Sequence, residues 1–240
     1  MHRAMGSFLV LTMASALCSC RSPQFTQQPA YPAHWWTPVP KAGAPAWEIL
    51  PQEAKPGEVI LSKRNELGLL SNFAPTPFVL HHRRYASIEG FWQAMKYPEN
   101  PSDLRADFPG LPWRYTRAEV EQMTGFEAKR AGDLANTNMA AMRINWVTFE
   151  GRKMEYRPAQ PGDHYRLIVA ATWQKVLQND PVRRVLLSTG NLVLKPDHYQ
   201  EPNAPPAWRY YEILMDIRLH LQKGSGPQGK DDFNWQPAAP

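Results

Sequence analysis

Cysteine is almost absent from this chain: of 240 residues only Cys18 and Cys20 carry a thiol, both within the first twenty positions. From residue 21 onward there is therefore no disulfide framework, no cysteine nucleophile and no cysteine-based zinc site. A membrane-spanning run is missing too, because the one long apolar stretch, Ala4 to Leu17, is too short to cross a bilayer comfortably. Charge of one sign is nowhere concentrated: 27 basic and 22 acidic side chains are interspersed, and the formal net charge is +5. That weak basic bias suits an anionic small ligand or an anionic membrane surface, and it lacks the Lys/Arg stripe expected of a protein that binds nucleic acid duplexes. No P-loop, dinucleotide glycine fingerprint, nucleophile elbow or zincin motif occurs, and no internal repeat is detected.

What is present begins with an export signal. Met1-His2-Arg3 is a short positive start, Ala4 to Leu17 is apolar, and Leu17-Cys18-Ser19-Cys20 resembles the lipobox of bacterial lipoproteins, which points to lipidation at Cys20. Residues 1–20 are expected to be a cleaved signal peptide. The protein is then exported and held to a bacterial membrane by an N-terminal lipid, with its domain in the periplasm or outside the cell. Residues 21–57 carry eight prolines, too many missing N–H donors for a helix or a central strand, and read as a semi-rigid tether. Trp35, Trp36 and Trp47 lie within it, and the sequence leaves open whether they pack on the domain or touch the membrane interface. Residues 223–240 read as a disordered, glycine- and proline-containing tail.

The remainder, 58–222, has the length of one domain, and five of the chain's nine tryptophans lie in it, supplying large flat surfaces for a core or a pocket. Its pattern predicts an α+β fold: a mostly helical single domain with a small irregular antiparallel sheet. Strand material is expected at 58–62, in a hairpin at 77–85 around His82 and Arg83, and at 191–195. Helices are expected at 88–97 behind the cap Ser87, at 117–123 behind Thr116, at 125–134 behind Thr124, and over 139–154. Further helices are expected at 164–177, from Asp180-Pro181 to Leu187, and at 208–221.

The helix beginning at Ile88 carries the most chemistry. Ile88, Phe91, Trp92 and Met95 form an apolar stripe, while Glu89, Gln93 and Lys96 follow the same helical spacing along its edge. A carboxylate, an amide and an ammonium in one row make either a pocket wall or the polar shoulder of an ordinary amphipathic helix, and spacing alone favours the shoulder. His81-His82-Arg83-Arg84 reads as a solvated hairpin tip rather than a metal or phosphate patch. Thr189-Gly190-Asn191 resembles a phosphate-holding turn but is equally a helix stop. Arg143 and Trp146 pair a guanidinium with an indole, an arrangement useful for a nucleotide and common in structural stacking.

In this order the pieces resemble the NADAR or YbiA-like N-glycosidase family. Leu70-Ser71-Asn72-Phe73, then Tyr85-x-Ser87-Ile88-Glu89 and Gln93-Ala94-Met95-Lys96-Tyr97, look like its opening region and central signature. Ala128 to Gly132, Arg143-Ile144-Asn145-Trp146, Trp173 to Asn179 and Leu186 to Leu194 are similar to its later blocks, so that the resemblance covers residues 66–221. The resemblance implies a YbiA-like fold and hydrolysis of the N-glycosidic bond of a ribosylated, phosphorylated nucleotide-like small molecule, such as a riboflavin intermediate or an ADP-ribosylated base. It implies no metal or redox cofactor. Carried onto this chain it makes Glu89 the key carboxylate, Lys96 and Arg143 the phosphate contacts, Asn72 and Gln93 the ribose or base contacts, and Phe73, Trp146 or Trp208 the stacking groups. The chain departs from the pattern at Gly90, where the family has histidine, and at Pro205, where it has a second functional aspartate; Asp197 or Glu201 is the expected replacement. The segment between Tyr97 and Thr124 is an insertion expected to reshape the pocket entrance. The alternative to hydrolysis is a lipoprotein that binds such a nucleotide or ADP-ribose without turning it over.

Overall fold

The computed structural model describes residues 31–225. The signal peptide with Cys20, the first ten residues of the expected tether and the tail from 226 onward lie outside the described residues. Six α-helices and three two-stranded sheets build the described part. The mainly helical α+β architecture is the one expected, although the strands form three separate pairs, one of them parallel. Strand β1 (Glu58–Ile60) runs parallel to β6 (Val193–Lys195), and β2 (Phe78–Leu80) pairs antiparallel with β3 (Arg83–Tyr85). The β2–β3 turn consists of His81 and His82, both at positive φ (48° and 62°), which gives the tight turn a two-residue hairpin requires. Among the described residues no helix is long and apolar enough to cross a membrane.

Helix α1 (Ile88–Ala94) is the axis of the domain, and all seven of its residues are buried. Ser87 caps it as expected: its Oγ accepts the Gly90 N–H at 2.9 Å and donates to the Met123 carbonyl at 2.9 Å. Helices α2 (Arg117–Glu121) and α3 (Gly125–Ala141) pack on α1, as does α4 (Asp163–Gln178). The core centres on rings: Tyr85 and Phe91 meet edge-to-face at 4.7 Å, with Phe78 and Phe149 at 5.5 and 5.7 Å from one or the other. Helices α5 (Asp180–Ser188) and α6 (Tyr210–Gln222) complete the body.

Two expectations need correction. The span 139–154 is not a helix: α3 ends at Ala141, and β4 (Trp146–Phe149) turns through Glu150 and Gly151, both at positive φ, into β5 (Arg152–Glu155). Arg143 causes the break. At φ 55° it is the left-handed residue of a helix stop, with the Ile144 N–H bonded back to the Met139 carbonyl at 3.0 Å. Val147, Thr148 and Phe149 then favour a strand. The second correction concerns residues 31–57, expected as tether, which pack on the body through Trp35, Leu50 and Pro51 while most of 37–47 stays exposed. Trp35 is 1% exposed and donates Nε1–H to Glu66 Oε1 at 2.7 Å, while Trp36 donates to the Glu58 carbonyl at 2.9 Å. The prolines leave only two short 3-10 turns there, Ala33–Trp36 and Pro51–Glu53, and the buried Trp35 and half-buried Trp36 hold the segment on the body.

Candidate functional site

The row Glu89, Gln93, Lys96 does not face water. These residues are 7%, 6% and 1% exposed, which decides between the two readings of α1: its polar edge is a wall of an open cavity of about 810 Å³. Asn72, Phe73 and Trp208 line the same cavity, so six of the expected site residues come together.

The loop carrying Asn72 and Phe73 is fixed by three successive carbonyls. Ser71 O accepts from Lys175 Nζ (2.7 Å), Asn72 O from the Glu89 N–H (3.0 Å), and Phe73 O from the Gly125 N–H (3.1 Å). Lys175 is itself fully buried, and burial pulls its ammonium down to about 7. Opposite the loop, α3 approaches closely enough that a Cβ on Gly132 would lie 1.8 Å from Gln93 Oε1. Glycine at this position therefore makes room for the Gln93 amide, whose Nε2 donates to Glu89 Oε1 at 2.7 Å. Gly90, where the family pattern has histidine, is needed for the same kind of reason: a Cβ would sit 2.4 Å from the Met123 carbonyl at the end of α2.

Electrostatics follow from this burial. Desolvation raises the Glu89 carboxyl above the usual carboxylate range, against the Gln93 hydrogen bond and the Lys96 and Lys129 charges, which favour ionisation. Burial lowers Lys96 to about 7, although Glu89 works in the opposite direction. The Lys96 ammonium stands 4.8 Å over the Tyr156 ring. Burial thus pushes the carboxyl of Glu89 up and the amine of Lys96 down on the same cavity wall. Lys96 lines the cavity, where it was expected as a phosphate contact. Gln93 Oε1, Trp208 Nε1 and Gln200 Oε1, all on cavity-lining residues, are buried and have no protein partner, leaving polar atoms for a ligand to satisfy.

Other expected residues stand elsewhere. Arg143 is the exposed stop of α3, and Trp146 is covered by Arg105 (4.8 Å) and Lys153 (4.3 Å); neither lines the cavity. The insertion does not line it either. Instead it caps α1 from behind: Arg105 donates to the Met95 and Lys96 carbonyls, both at 3.1 Å, and Arg117 to the Tyr97 carbonyl at 3.2 Å. Two cations on the final carbonyls suit the negative end of the helix and fix the position of Lys96. Glu201 is exposed and off the cavity. Asp197 is 1% exposed and ion-paired with Lys63, and its Oδ1 meets His198 Nδ1 at 3.1 Å. Burial raises the Asp197 carboxyl, but His198 and Lys63 outweigh it and hold the group below its ordinary value. Asp197 thus reaches the cavity only through those two partners, both of which line it.

The course of this chain is similar to that of the E. coli protein YbiA. Its NMR structure matches with a TM-score of 0.43 and 18% identity, over 69% of this chain and 86% of that one. The likeness is distant. No family model matches the chain, and no curated protein matches it.

Several cavity residues had no signal in the sequence. Trp47 comes from the segment expected as tether and forms, with Phe126 (6.0 Å) and Phe73 (5.2 Å from Phe126), a partly exposed aromatic rim. Tyr156 and Arg157 follow the hairpin that was expected as helix, and Arg157 lies 5.1 Å over the Trp208 ring. Among the described residues no three His, Cys, Asp or Glu side chains are grouped to hold a metal ion.

Proposed function

We propose that this protein is an N-glycosidase acting on a ribosylated, phosphorylated, nucleotide-like small molecule. One observation carries the reading: Glu89 is a buried carboxyl on the wall of a cavity large enough for a nucleotide, held by Gln93, with its proton affinity raised. In such a reaction the anomeric carbon becomes cationic as the bond to the base nitrogen stretches. A carboxylate against that carbon stabilises the charge and takes a proton from the attacking water. Raised proton affinity makes Glu89 a better base than an ordinary glutamate. Aromatic residues Trp208 and Phe73 offer faces for a base. Arg157, an exposed cation on the cavity, takes the anion-binding role first expected of Arg143.

The test is release of free base from a panel of N-ribosides: NAD, nicotinamide mononucleotide, GMP, AMP, ADP-ribosylated guanine and a phosphoribosylamino-pyrimidine. Glu89→Gln is expected to lower kcat by about 10²-fold or more while ligand still binds. Undiminished release by the variant removes Glu89 from its role, and tight binding without release by the wild type favours a binding protein. We also propose, from residues 1–20, that the protein is exported and anchored by lipid at Cys20. Incorporation of labelled palmitate that survives Cys20→Ala refutes the anchor.

A further inference from the structure

Hydrolysis of an N-glycosidic bond requires two proton movements, and Glu89 accounts for only one. Water loses a proton on the face it attacks, and the departing nitrogen must gain one unless it leaves already neutral. The aspartate expected for a second role is Pro205 here, and Asp197 is closed off by its partners. The residue beside it is not. His198 lines the same cavity as Glu89, with its side chain 39% exposed. Its Nδ1 faces Asp197 Oδ1 at 3.1 Å, and among the described residues Nε2 has no protein partner.

We propose that His198 is the general acid of the reaction, with Asp197 as its positioning residue; this rests on the glycosidase reading above. Two contacts touch the ring and two more hold it indirectly. Asp197 holds Nδ1 and is itself held by Lys63, the Tyr210 ring stacks on the imidazole at 6.3 Å and 8°, and residue 198 pairs with Glu48 as a lone antiparallel bridge. A carboxylate on Nδ1 fixes the ring orientation and the tautomer, so that Nε2 is the atom presented to a ligand. The bonds balance as follows. The C1′–N bond breaks and its electron pair goes to the base nitrogen, which takes the proton from His198 Nε2. The water oxygen bonds to C1′ and gives its proton to Glu89. Solvent returns that proton to the imidazole, leaving a sugar with a free 1-hydroxyl and a base bearing N–H.

The charged and titratable groups around the ring are Asp197 and Lys63 on one side and Tyr210 on the other, with Glu48 engaged by Arg64 at 2.6 Å. Leaving-group dependence separates acid catalysis from any structural role, because nicotinamide in NAD and 7-methylguanine in 7-methyl-GMP leave as neutral rings and need no proton. Full-length wild type and His198→Gln are compared on those two substrates and on GMP, AMP and ADP-ribosylated guanine. The expected result is a loss of about 10²-fold in His198→Gln on the second group and less than about threefold on the first. Asp197→Asn should show the same selectivity with a smaller loss.

Equal losses on both groups, no loss on either, or a wild type that releases only nicotinamide and 7-methylguanine overturns the assignment of His198 and leaves the glycosidase reading standing. A wild type that releases no base from either group takes down the glycosidase reading itself. Should His198→Gln lose its thermal transition, His198→Asn carries the same comparison.

Discussion

Two polar clusters flank α1, and they differ in how completely they are satisfied. Behind its C-terminal end, Arg105 is 1% exposed and places every donor: Nε and one Nη on Asp103, the rest on Met95, Lys96 and Thr148. On the cavity side, Glu89 has one amide, Lys96 has the face of a tyrosine ring, and the Gln93 carbonyl has no partner. A saturated network of buried charges specifies a structure, whereas an under-satisfied one stores free energy that a ligand can release. The first cluster holds the helix in place for the second.

Breaking each cluster should therefore act in opposite directions. The largest effect is expected in Arg105→Met, which strands Asp103 and uncaps α1: about 3–5 kcal/mol lost in urea unfolding, with base release falling as Lys96 shifts. Lys96→Met and Glu89→Gln should leave stability unchanged or raise it while lowering turnover, because each removes a buried charge that the fold does not fully compensate. Next in size is Gly132→Ala. Within a helix this change usually stabilises by up to about 1 kcal/mol. Here the new methyl meets the Gln93 amide at 1.8 Å, so a loss of about 2 kcal/mol is expected, together with a loosened Glu89. A thermal melt that moves upward for Gly132→Ala shows that Gln93 can yield.

What the sequence revealed of this arrangement follows from the range over which each signal acts. Caps and turns are local, so Ser87 and Thr116 were legible, as was the His81-His82 tip. Periodicity located Glu89, Gln93 and Lys96 on one edge but not the burial of that edge, because burial comes from α3, which approaches at Gly132, and from the loop at 71–73. The β4–β5 hairpin was hidden by the helix-forming run Met139 to Met142 leading into a left-handed arginine, a conformation that composition does not announce. The place of Trp47, left open by the sequence, and that of His198, which carried no signal, were hidden for a different reason. They lie in proline-rich stretches without periodicity, and they reach the cavity only because Glu48 and His198 pair across a sequence separation of 150 residues. The cavity wall built from single long-range contacts is the part that sequence patterning does not encode.

The finest distinction is between the two buried lysines. Lys96 and Lys175 are both pulled from 10.5 to about 7 by burial, yet Lys175 donates to a carbonyl and Lys96 faces the cavity. Between pH 7 and 10.5 the unfolded chain binds a proton at each lysine that the folded protein has released, so folding stability rises with pH across that window. Each lysine should contribute about 1 kcal/mol between pH 7 and 8, and below pH 7 this contribution levels off. Urea titrations at the two pH values should show the rise reduced by about that amount in Lys175→Met and equally in Lys96→Met. The pH dependence of base release should change only in Lys96→Met, because Lys175 touches the loop and not the ligand. Should Lys175→Met move the activity profile as well, the two lysines act on the cavity together, and the division between a structural and a functional ammonium fails.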